Sequence, residues 1–271
     1  MEVCVNFIDK LQKATQKNRS LVCVGLDPDP SLMPPRVSVA EFNKAIVAAT
    51  SDLVCAYKPN LAFYEALGDS GMAALQQTLK AIPSDIPVIA DAKRGDIGNT
   101  SKAYAKALFE VYGFDAATVN PYLGSDAVEP FIQFSDKGII ILCRTSNAGA
   151  ADFQSLICQT KEGPKALFEI VAEKAQQWNK TGNVGLVVGA TYPDELKIIR
   201  QKLPNMPFLI PGIGAQGGDV AITVKNGVSP QGDKAIINSS RQILYASKGT
   251  DFAQAARKAT MTLRDEINKY R

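Results

Sequence analysis

The chain of 271 residues contains no histidine. This absence excludes serine–histidine–aspartate and cysteine–histidine catalysis, zinc sites with histidine ligands, and histidine acid–base chemistry. Any proton transfer that the protein performs must therefore use lysine, aspartate, glutamate, tyrosine or water.

Cysteine is also scarce, and the pattern of the five cysteines argues against disulfides or a thiol-based metal site. None of them forms a C-x-x-C pair, and Cys23, Cys55 and Cys143 lie inside apolar runs, where a free thiol behaves as a small hydrophobic group. The first six residues carry an early acid and lack the basic-then-apolar pattern of a secretion signal. We therefore expect reduced thiols and a cytoplasmic protein.

Long apolar runs and strong net charge are missing as well. No stretch approaches the ~18 apolar residues that a membrane span needs. The formal net charge is +3, which gives no reason to expect nucleic acid or a membrane surface as a partner. With 46% hydrophobic and 21% charged residues, the composition is that of an ordinary globular protein.

What the chain does contain is a regular series of short apolar segments, each followed by a segment compatible with a helix. The pattern predicts strands at 21–25, 53–57, 88–90, 116–119, 138–143, 184–188, 208–210 and 234–237. It predicts helices at 1–20, 39–50, 70–82, 100–112, 125–135, 163–180, 193–202, 218–225 and 250–268.

The predicted strands are continuously apolar rather than alternating, which indicates a parallel sheet covered by helices. Eight βα units in a chain of this length favour a (β/α)₈ TIM barrel, an α/β fold, formed by residues 1–271 as a single domain. A doubly wound open sheet is the alternative. The turn after the first strand, Asp27-Pro28-Asp29-Pro30, lacks the glycines of a dinucleotide-binding fingerprint.

Polar residues follow most of the predicted strands, at the end where such barrels place their active sites. They are Asp27, Lys58, Asp91 with Lys93, Asn120, Ser146, Gln216 and Arg241. If the third strand continues through Lys93, the side chains of Asp91 and Lys93 share a face and Arg94 points away. With Lys58 and Asp96 they would form a compact charged array able to tune a lysine as a general acid. The alternative is an ion-paired strand end without chemistry.

The loops after the last two strands carry a second signal. Residues 211–218 are rich in glycine, so their backbone N–H groups can approach an anion closely, and Arg241 follows the eighth strand. These two loops are the frequent phosphate site of barrels, and a guanidinium binds phosphate with paired hydrogen bonds. The alternative is a flexible glycine turn beside a surface arginine.

The motifs resemble those of the orotidine 5′-phosphate decarboxylase family over nearly the whole chain, from Asp27 to Arg241. The resemblance rests on the segment Asp91-Ala92-Lys93-Arg94-Gly95-Asp96-Ile97, on Lys58 after an earlier strand, and on the glycine-rich loop before Arg241. Thr145-Ser146-Asn147 and the long loop before Arg241 are similar to the longer bacterial-type branch. The chain departs from the pattern at Ala148, where a proline is expected.

The resemblance implies a cytoplasmic homodimer that converts orotidine monophosphate to uridine monophosphate in pyrimidine biosynthesis, without cofactor or metal. By position, Lys93 would protonate C6 of the pyrimidine and Asp91 would lie against the substrate carboxylate. Lys58 and Asp96 would complete the charged array. The length of 271 residues leaves no room for a fused phosphoribosyltransferase, so we expect a monofunctional chain.

The resemblance also implies a set of substrate-binding residues. Asp27 and Lys58 would hold ribose hydroxyls, Ser146 the pyrimidine edge, and Gln216 and Arg241 the phosphate. Asp96, Ile97 and Thr100 would reach into the site of the partner subunit.

Two other functions stay open at this point. Metal-dependent sugar-phosphate lyases on related barrels share the Asp-x-Lys-x-x-Asp motif, but they need a carboxylate at the second strand end, where this chain has Lys58. The other possibility is a non-catalytic barrel that binds phosphate ligands.

Overall fold

The computed structural model describes residues 6–213 and 218–271, and it is a nearly closed barrel of eight parallel strands surrounded by helices. The barrel strands are β1 (Val22–Leu26), β2 (Ala56–Pro59), β3 (Ile89–Arg94), β4 (Ala116–Val119), β5 (Gly138–Arg144), β8 (Val184–Val188), β9 (Phe208–Ile210) and β10 (Ala235–Ser239). This is the predicted TIM-barrel class.

Apart from β2 and β3, neighbouring barrel strands in chain order pair in parallel, and β10 pairs with β1. The remaining gap, between β2 and β3, is spanned by two parallel bridges, Tyr57 to Val88 and Asn60 to Asp91. The carboxyl ends of all eight strands therefore meet at one rim, which is the geometry that brings the charged strand ends together.

The described helices are α1 (Phe7–Asn18), α2 (Val39–Thr50), α3 (Leu61–Glu65), α4 (Gly68–Ala81), α5 (Gly98–Lys106), α6 (Ser125–Ile132), α7 (Leu167–Trp178), α8 (Pro193–Lys202), α9 (Val220–Gly227), α10 (Arg241–Leu244) and α11 (Phe252–Ile267). A π-helical turn continues α5 over Ala107–Val111, and a 3₁₀ turn covers Ala148–Asp152. None of these described helices is both long and apolar enough to cross a bilayer.

The predicted second strand is displaced toward the carboxyl rim. The sequence predicts a strand over 53–57, but β2 runs from Ala56 to Pro59 and includes the charged Lys58. Lys58 is buried against a carboxylate of the neighbouring strand, so the strand continues through a residue that the pattern treats as a stop.

The segment between β5 and β8 also differs from the prediction. A helix is predicted from residue 163, whereas an antiparallel hairpin forms first, with β6 (Ile157–Thr160) paired to β7 (Gly163–Ala166). Gly163 adopts a φ of 111°, a conformation suited to glycine at the hairpin turn, and α7 begins only at Leu167. The short helices α3 and α10 were not predicted, because so few residues show no clear periodicity.

Apolar side chains of the strands fill the amino-terminal part of the barrel interior, and α1 packs against them. Phe7 and Leu11 of α1 pack with inward-facing strand residues, among them Cys23 and Ile89, and with Cys55, which directly precedes β2. A Cβ on Gly138 would come within 2.2 Å of the Phe7 ring, so a glycine is needed there for the close approach. Burial raises the pKa of the Cys23 thiol to about 12, as befits a packing residue.

Candidate active site

A cavity of about 790 Å³ opens at the carboxyl rim of the barrel. Six of the predicted site residues line it: Asp27, Lys58, Asp91, Lys93, Ser146 and Arg241. Strand ends from opposite sides of the barrel therefore meet around one space. Gln216, the other predicted phosphate ligand, lies outside the described residues.

The floor of the cavity carries one carboxylate between two ammonium groups. Lys58 Nζ lies 2.7 Å from Asp91 Oδ2, and Lys93 Nζ lies 2.5 Å from Asp91 Oδ1. The Lys58 and Asp91 side chains are 4% and 11% exposed, whereas Lys93 is 49% exposed. Lys58 is thus an almost completely buried counter-ion, and Lys93 is the most exposed of these three cavity residues.

Burial and charge act in opposite directions on this array. Burial by itself would raise the pKa of Asp91, but the ammonium groups of Lys58 and Lys93 outweigh it and hold that pKa well below its ordinary value. Burial likewise disfavours the charged form of Lys58, and the carboxylates of Asp27 and Asp91 overcome this and raise its pKa. The buried pair is therefore fully ionised near neutral pH.

The side chains of Asp91 and Lys93 meet on the same side of β3, although the strand is irregular there. Lys93 reaches this position with a φ of 46°, in the left-handed region that residues other than glycine seldom adopt. Arg94 points away, as predicted. It pairs with Glu65, and its guanidinium lies 5.2 Å from the centroid of the Tyr104 ring.

Asp27 lies on the β1 side of the cavity and is held by its neighbours. Its Oδ1 accepts a hydrogen bond of 3.2 Å from the backbone N–H of Asn60, which follows β2. The Tyr245 hydroxyl donates to the Asp27 carbonyl at 3.0 Å and accepts from the Asp29 N–H at 2.6 Å. These contacts fix the turn after β1, whose prolines already restrict its backbone.

Ser146 lies on the opposite side of the cavity, in a loop that is held by the buried Arg144 and by Gln154. Arg144 is 1% exposed, pairs with Glu195 and stacks 3.6 Å from the centroid of the Tyr192 ring. Gln154 Oε1 accepts hydrogen bonds from Arg144 Nη1 at 3.3 Å and from the Thr145 N–H at 2.8 Å. A buried cation thus anchors both ends of the segment that carries Ser146.

A glycine lets the Ser146 backbone pass close to the next barrel strand. A Cβ on Gly189, directly after β8, would lie 2.9 Å from Cα, Cβ and N of Ser146. Real Cβ atoms essentially never show contacts that short, so a side chain at this position would displace the loop.

Arg241 begins α10 after the eighth barrel strand and is exposed to the cavity. Within the described ranges it takes part in no ion pair, in contrast to Arg144, Arg257 and Arg264. A guanidinium placed at this rim can bind an anion in the cavity.

Asp96, Ile97 and Thr100 do not line the cavity of their own chain. Asp96 Oδ1 accepts a hydrogen bond from the Ile97 N–H at 2.8 Å, and the Ile97 side chain is 58% exposed. Asn120 also lies outside the cavity, and its Oδ1 accepts from the Tyr122 N–H at 3.0 Å.

Several cavity residues were missed by sequence reasoning: Asn60, Thr118, Gln154, Asn238 and Tyr245. Asn60 and Asn238 are polar residues at strand ends, so the rule that found Lys58 and Arg241 could have found them. Thr118 and Gln154 carry no such signal, because their role depends on which neighbouring groups they meet. Within 6–213 and 218–271, no cluster of three Cys, Asp or Glu residues has the spacing of a metal site.

Comparison with known proteins gives the same family as the motifs. The family model described as "Orotidine 5'-phosphate decarboxylase / HUMPS family" matches residues 20–259. A protein named orotidine 5′-phosphate decarboxylase from Dehalococcoides mccartyi is 57% identical over 267 residues, which are 98% of this chain and 99% of that protein. A relative of the same name from Herpetosiphon aurantiacus is 52% identical, over 93% of this chain and 94% of its own.

Solved structures agree at lower identity. The OMP decarboxylase of Leishmania donovani superposes with a TM-score of 0.85 at 38% identity, over 98% of both chains. A structure from Toxoplasma gondii described as a putative orotidine-monophosphate-decarboxylase superposes with a TM-score of 0.86 at 35% identity, over 99% of both chains.

Proposed function

Because the chain belongs to the orotidine 5′-phosphate decarboxylase / HUMPS family, we propose that it converts orotidine 5′-phosphate to uridine 5′-phosphate and carbon dioxide. It is a decarboxylase, and hence a carbon–carbon lyase. The reaction would need neither cofactor nor metal and would serve de novo pyrimidine biosynthesis in the cytoplasm.

One observation carries the mechanistic part of the proposal: the Asp91 carboxylate is shared by a buried lysine and an exposed one. Both lysines line the cavity, but the Lys58 side chain is only 4% exposed, whereas that of Lys93 is 49% exposed. Of the two ammonium groups, Lys93 is therefore the more open to a reacting substrate atom. We assign the acid role to Lys93 and the counter-ion role to Lys58.

The proposed chemistry consists of one bond cleavage and one proton transfer. The bond between C6 of the pyrimidine and the carboxylate breaks, carbon dioxide leaves, and the electron pair stays on C6. The Lys93 ammonium stabilises that charge and donates a proton to C6, after which Lys93 regains a proton from solvent. Asp91 holds the ammonium in place and lies against the substrate carboxylate.

The remaining cavity residues suit the rest of the substrate. Arg241 would bind the 5′-phosphate together with Gln216, Asp27 and Lys58 would bind ribose hydroxyls, and Ser146 would contact the pyrimidine edge. Binding energy from the phosphate, which is remote from the reacting carbon, can then offset desolvation and positioning at the ring.

We further propose a homodimer in which each site is completed by Asp96, Ile97 and Thr100 of the other subunit. The exposed Ile97 side chain after β3, and Tyr122 and Leu123 after β4, which are 80% and 48% exposed, support an interface here. The two loops are also in contact, since a Cβ on Gly95 would lie 2.8 Å from the Asn120 carbonyl oxygen.

The test is the loss of orotidine monophosphate absorbance with the purified chain, in the presence and absence of a chelator. We expect turnover that the chelator leaves unchanged. Turnover that the chelator abolishes would indicate a metal-dependent lyase instead. Binding of uridine monophosphate without any turnover would indicate a non-catalytic phosphate-binding barrel.

A further inference from the structure

We propose that Thr118 of β4 is a positioning residue for Lys93. Thr118 is 1% exposed and lies beneath the Asp91–Lys93 segment at the floor of the cavity. Its hydroxyl joins the backbone of that segment to the carboxylate that binds the Lys93 ammonium. The proposal rests on the proposed function, because one of the two measurements that test it is the rate of decarboxylation.

The pairing of β3 with β4 shows why this hydroxyl is needed. Ala90 pairs with Ala117 and Arg94 pairs with Val119, so residues 91–93 of β3 lie opposite Thr118 alone. A regular parallel ladder would give each of these residues its own partner. The backbone N–H groups in the bulge therefore need acceptors other than the carbonyls of β4.

Thr118 supplies that acceptor. The N–H groups of Ala92 and Lys93 each donate a hydrogen bond of 3.0 Å to Thr118 Oγ1. Lys93 is the residue with the left-handed φ of 46°, so this contact supports the most strained part of the bulge. A conformation of that kind persists only where the surrounding structure holds it.

The proton of the same hydroxyl is directed at the catalytic carboxylate. A hydroxyl has one proton to donate and two lone pairs that can accept. Both lone pairs of Thr118 Oγ1 are occupied by the N–H groups of Ala92 and Lys93. Thr118 Oγ1 lies 3.1 Å from Asp91 Oδ1, and the other possible acceptor of its proton, the Ala90 carbonyl oxygen, is 3.5 Å away. Asp91 Oδ1 is also the oxygen that accepts the bond from Lys93 Nζ.

Thr118 therefore fixes Lys93 at both ends. It holds the backbone N–H of Lys93, and it orients the carboxylate oxygen that holds the Lys93 ammonium. Loss of the hydroxyl removes the acceptor of the Ala92 and Lys93 N–H groups, of which the Ala92 bond is buried, and frees the bulge to shift. A shift of about 1 Å in a reacting group costs on the order of a hundredfold in rate.

The expected signature is a loss of kcat without a loss of binding. Phosphate and ribose would be held by Arg241 and Asp27, which follow β10 and β1, so these contacts do not depend on the bulge in β3. Thr118→Val removes the hydroxyl at nearly constant shape, and Thr118→Ser keeps the hydroxyl but removes the methyl group. We expect kcat of Thr118→Val to fall on the order of a hundredfold. Thr118→Ser should stay within about fivefold of the unsubstituted chain, with uridine monophosphate affinity little changed in either.

Three results would overturn the inference. The first is a kcat of Thr118→Val within threefold of that of the unsubstituted chain. The second is a loss of kcat in Thr118→Ser as large as that in Thr118→Val, and the third is a fall in uridine monophosphate affinity that parallels the fall in kcat. If Thr118→Val does not fold, Thr118→Ala replaces it in the same comparison with Thr118→Ser, because the smaller side chain leaves room for a water molecule to meet the freed N–H groups.

Hydrogen exchange separates failure of this inference from failure of the proposed function. The amides of residues 92 and 93 should exchange slowly in the unsubstituted chain and in Thr118→Ser, and faster in Thr118→Val. If the unsubstituted chain does not decarboxylate orotidine monophosphate, the proposed function fails, and exchange still decides whether Thr118 holds the bulge. Unchanged exchange in Thr118→Val would reject the positioning role.

Discussion

Lys58 donates a hydrogen bond of 2.7 Å to Asp91 across the one pair of barrel strands that is joined only by isolated bridges. Both side chains are almost completely buried, so each charge depends on the other to offset its desolvation. The pair therefore links the closure of the barrel between β2 and β3 to the ionisation of the proposed site.

This pairing predicts a specific dependence of stability on acid. The pKa of Asp91 is lowered in the folded chain, whereas in the unfolded chain it is near its ordinary value of about 3.9. The stabilisation is complete above that value and is lost as the pH falls, because the unfolded chain binds the proton first. Asp91→Asn removes this pH-dependent stabilisation, because an amide does not titrate in this range. Between pH 5 and pH 3, the unfolding free energy of the unsubstituted chain should fall by about 1 kcal/mol more than that of Asp91→Asn.

Urea unfolding at several pH values measures both curves. Asp85→Asn is the matched control, because Asp85 pairs with Lys17 on the surface, where the two side chains are 51% and 66% exposed. Its curve should remain close to that of the unsubstituted chain, since exposed pairs contribute little. If the unfolding free energies of Asp91→Asn and of the unsubstituted chain fall equally between pH 5 and pH 3, the lowered pKa of Asp91 is contradicted.

Removal of the proposed acid should separate chemistry from binding. We expect Lys93→Ala to abolish decarboxylation, because no other ammonium is exposed in the array, while uridine monophosphate still binds through its phosphate. Turnover is followed by absorbance and binding by calorimetry. Lys17→Ala, at the far end of the barrel, should leave both unchanged. Near-normal turnover in Lys93→Ala would remove this lysine from the mechanism.

Removal of the proposed phosphate ligand should act only on phosphorylated substrates. We expect Arg241→Ala to lose roughly 2–5 kcal/mol of transition-state stabilisation for orotidine monophosphate, the scale for losing a charged partner. The slow turnover of orotidine, which lacks the phosphate, should be unchanged. Arg264→Ala is the control, because that guanidinium pairs with Asp265 on α11. A loss below about tenfold in kcat/KM would argue that Arg241 is not the phosphate ligand.

The fold was predictable from the sequence because each of its strands and helices is marked by a pattern of neighbouring residues. Each barrel strand is a short apolar run, and several predicted boundaries, such as those of 116–119, 193–202 and 208–210, match the structure. The errors occur where tertiary contacts override the local pattern. Lys58 extends β2 because Asp91 neutralises it, and the β6–β7 hairpin forms where helix was expected.

The site was predictable in part for the same reason. Strand ends with charged residues identified Asp27, Lys58, Asp91, Lys93 and Arg241, since a barrel brings all such ends to one rim. Thr118 could not be found in this way, because its role arises from a register shift between two strands. The support of Ser146 by Arg144 and Glu195 likewise depends on contacts between residues far apart in the chain.

Gly189 offers a test of the Ser146 loop that leaves every proposed ligand in place. Gly189→Ala introduces a Cβ within 2.9 Å of the Ser146 backbone, and the backbone of Gly189 is not in the left-handed region. We therefore expect displacement of the loop and, if Ser146 contacts the pyrimidine, a rise in KM on the order of tenfold. Gly149→Ala is the matched control in the same loop, because its Cβ would meet only side-chain atoms at 3.7 Å. Equal kinetics in both variants would contradict a role for the loop in binding.

The proposed shared site makes a prediction that no monomer can satisfy. If Asp96 serves the neighbouring site and Lys93 serves its own, then Lys93→Ala and Asp96→Ala inactivate sites through different subunits. In a mixed dimer, one site carries both substitutions and the other carries neither. Each variant alone should be inactive, and a mixture should regain activity.

The size of the recovery follows from the symmetry of a dimer. Random exchange of equal amounts makes half of the dimers mixed, and each mixed dimer has one intact site of two, so about a quarter of the activity of the unsubstituted enzyme should return. The subunits are unfolded and refolded together to ensure exchange, and variants refolded separately and then combined serve as the control. If Asp96 acted within its own chain, every site in the mixture would lack either Lys93 or Asp96, and no activity would return. Sedimentation of the same samples reports whether dimers formed, so an absence of recovery with dimers present would reject the shared site.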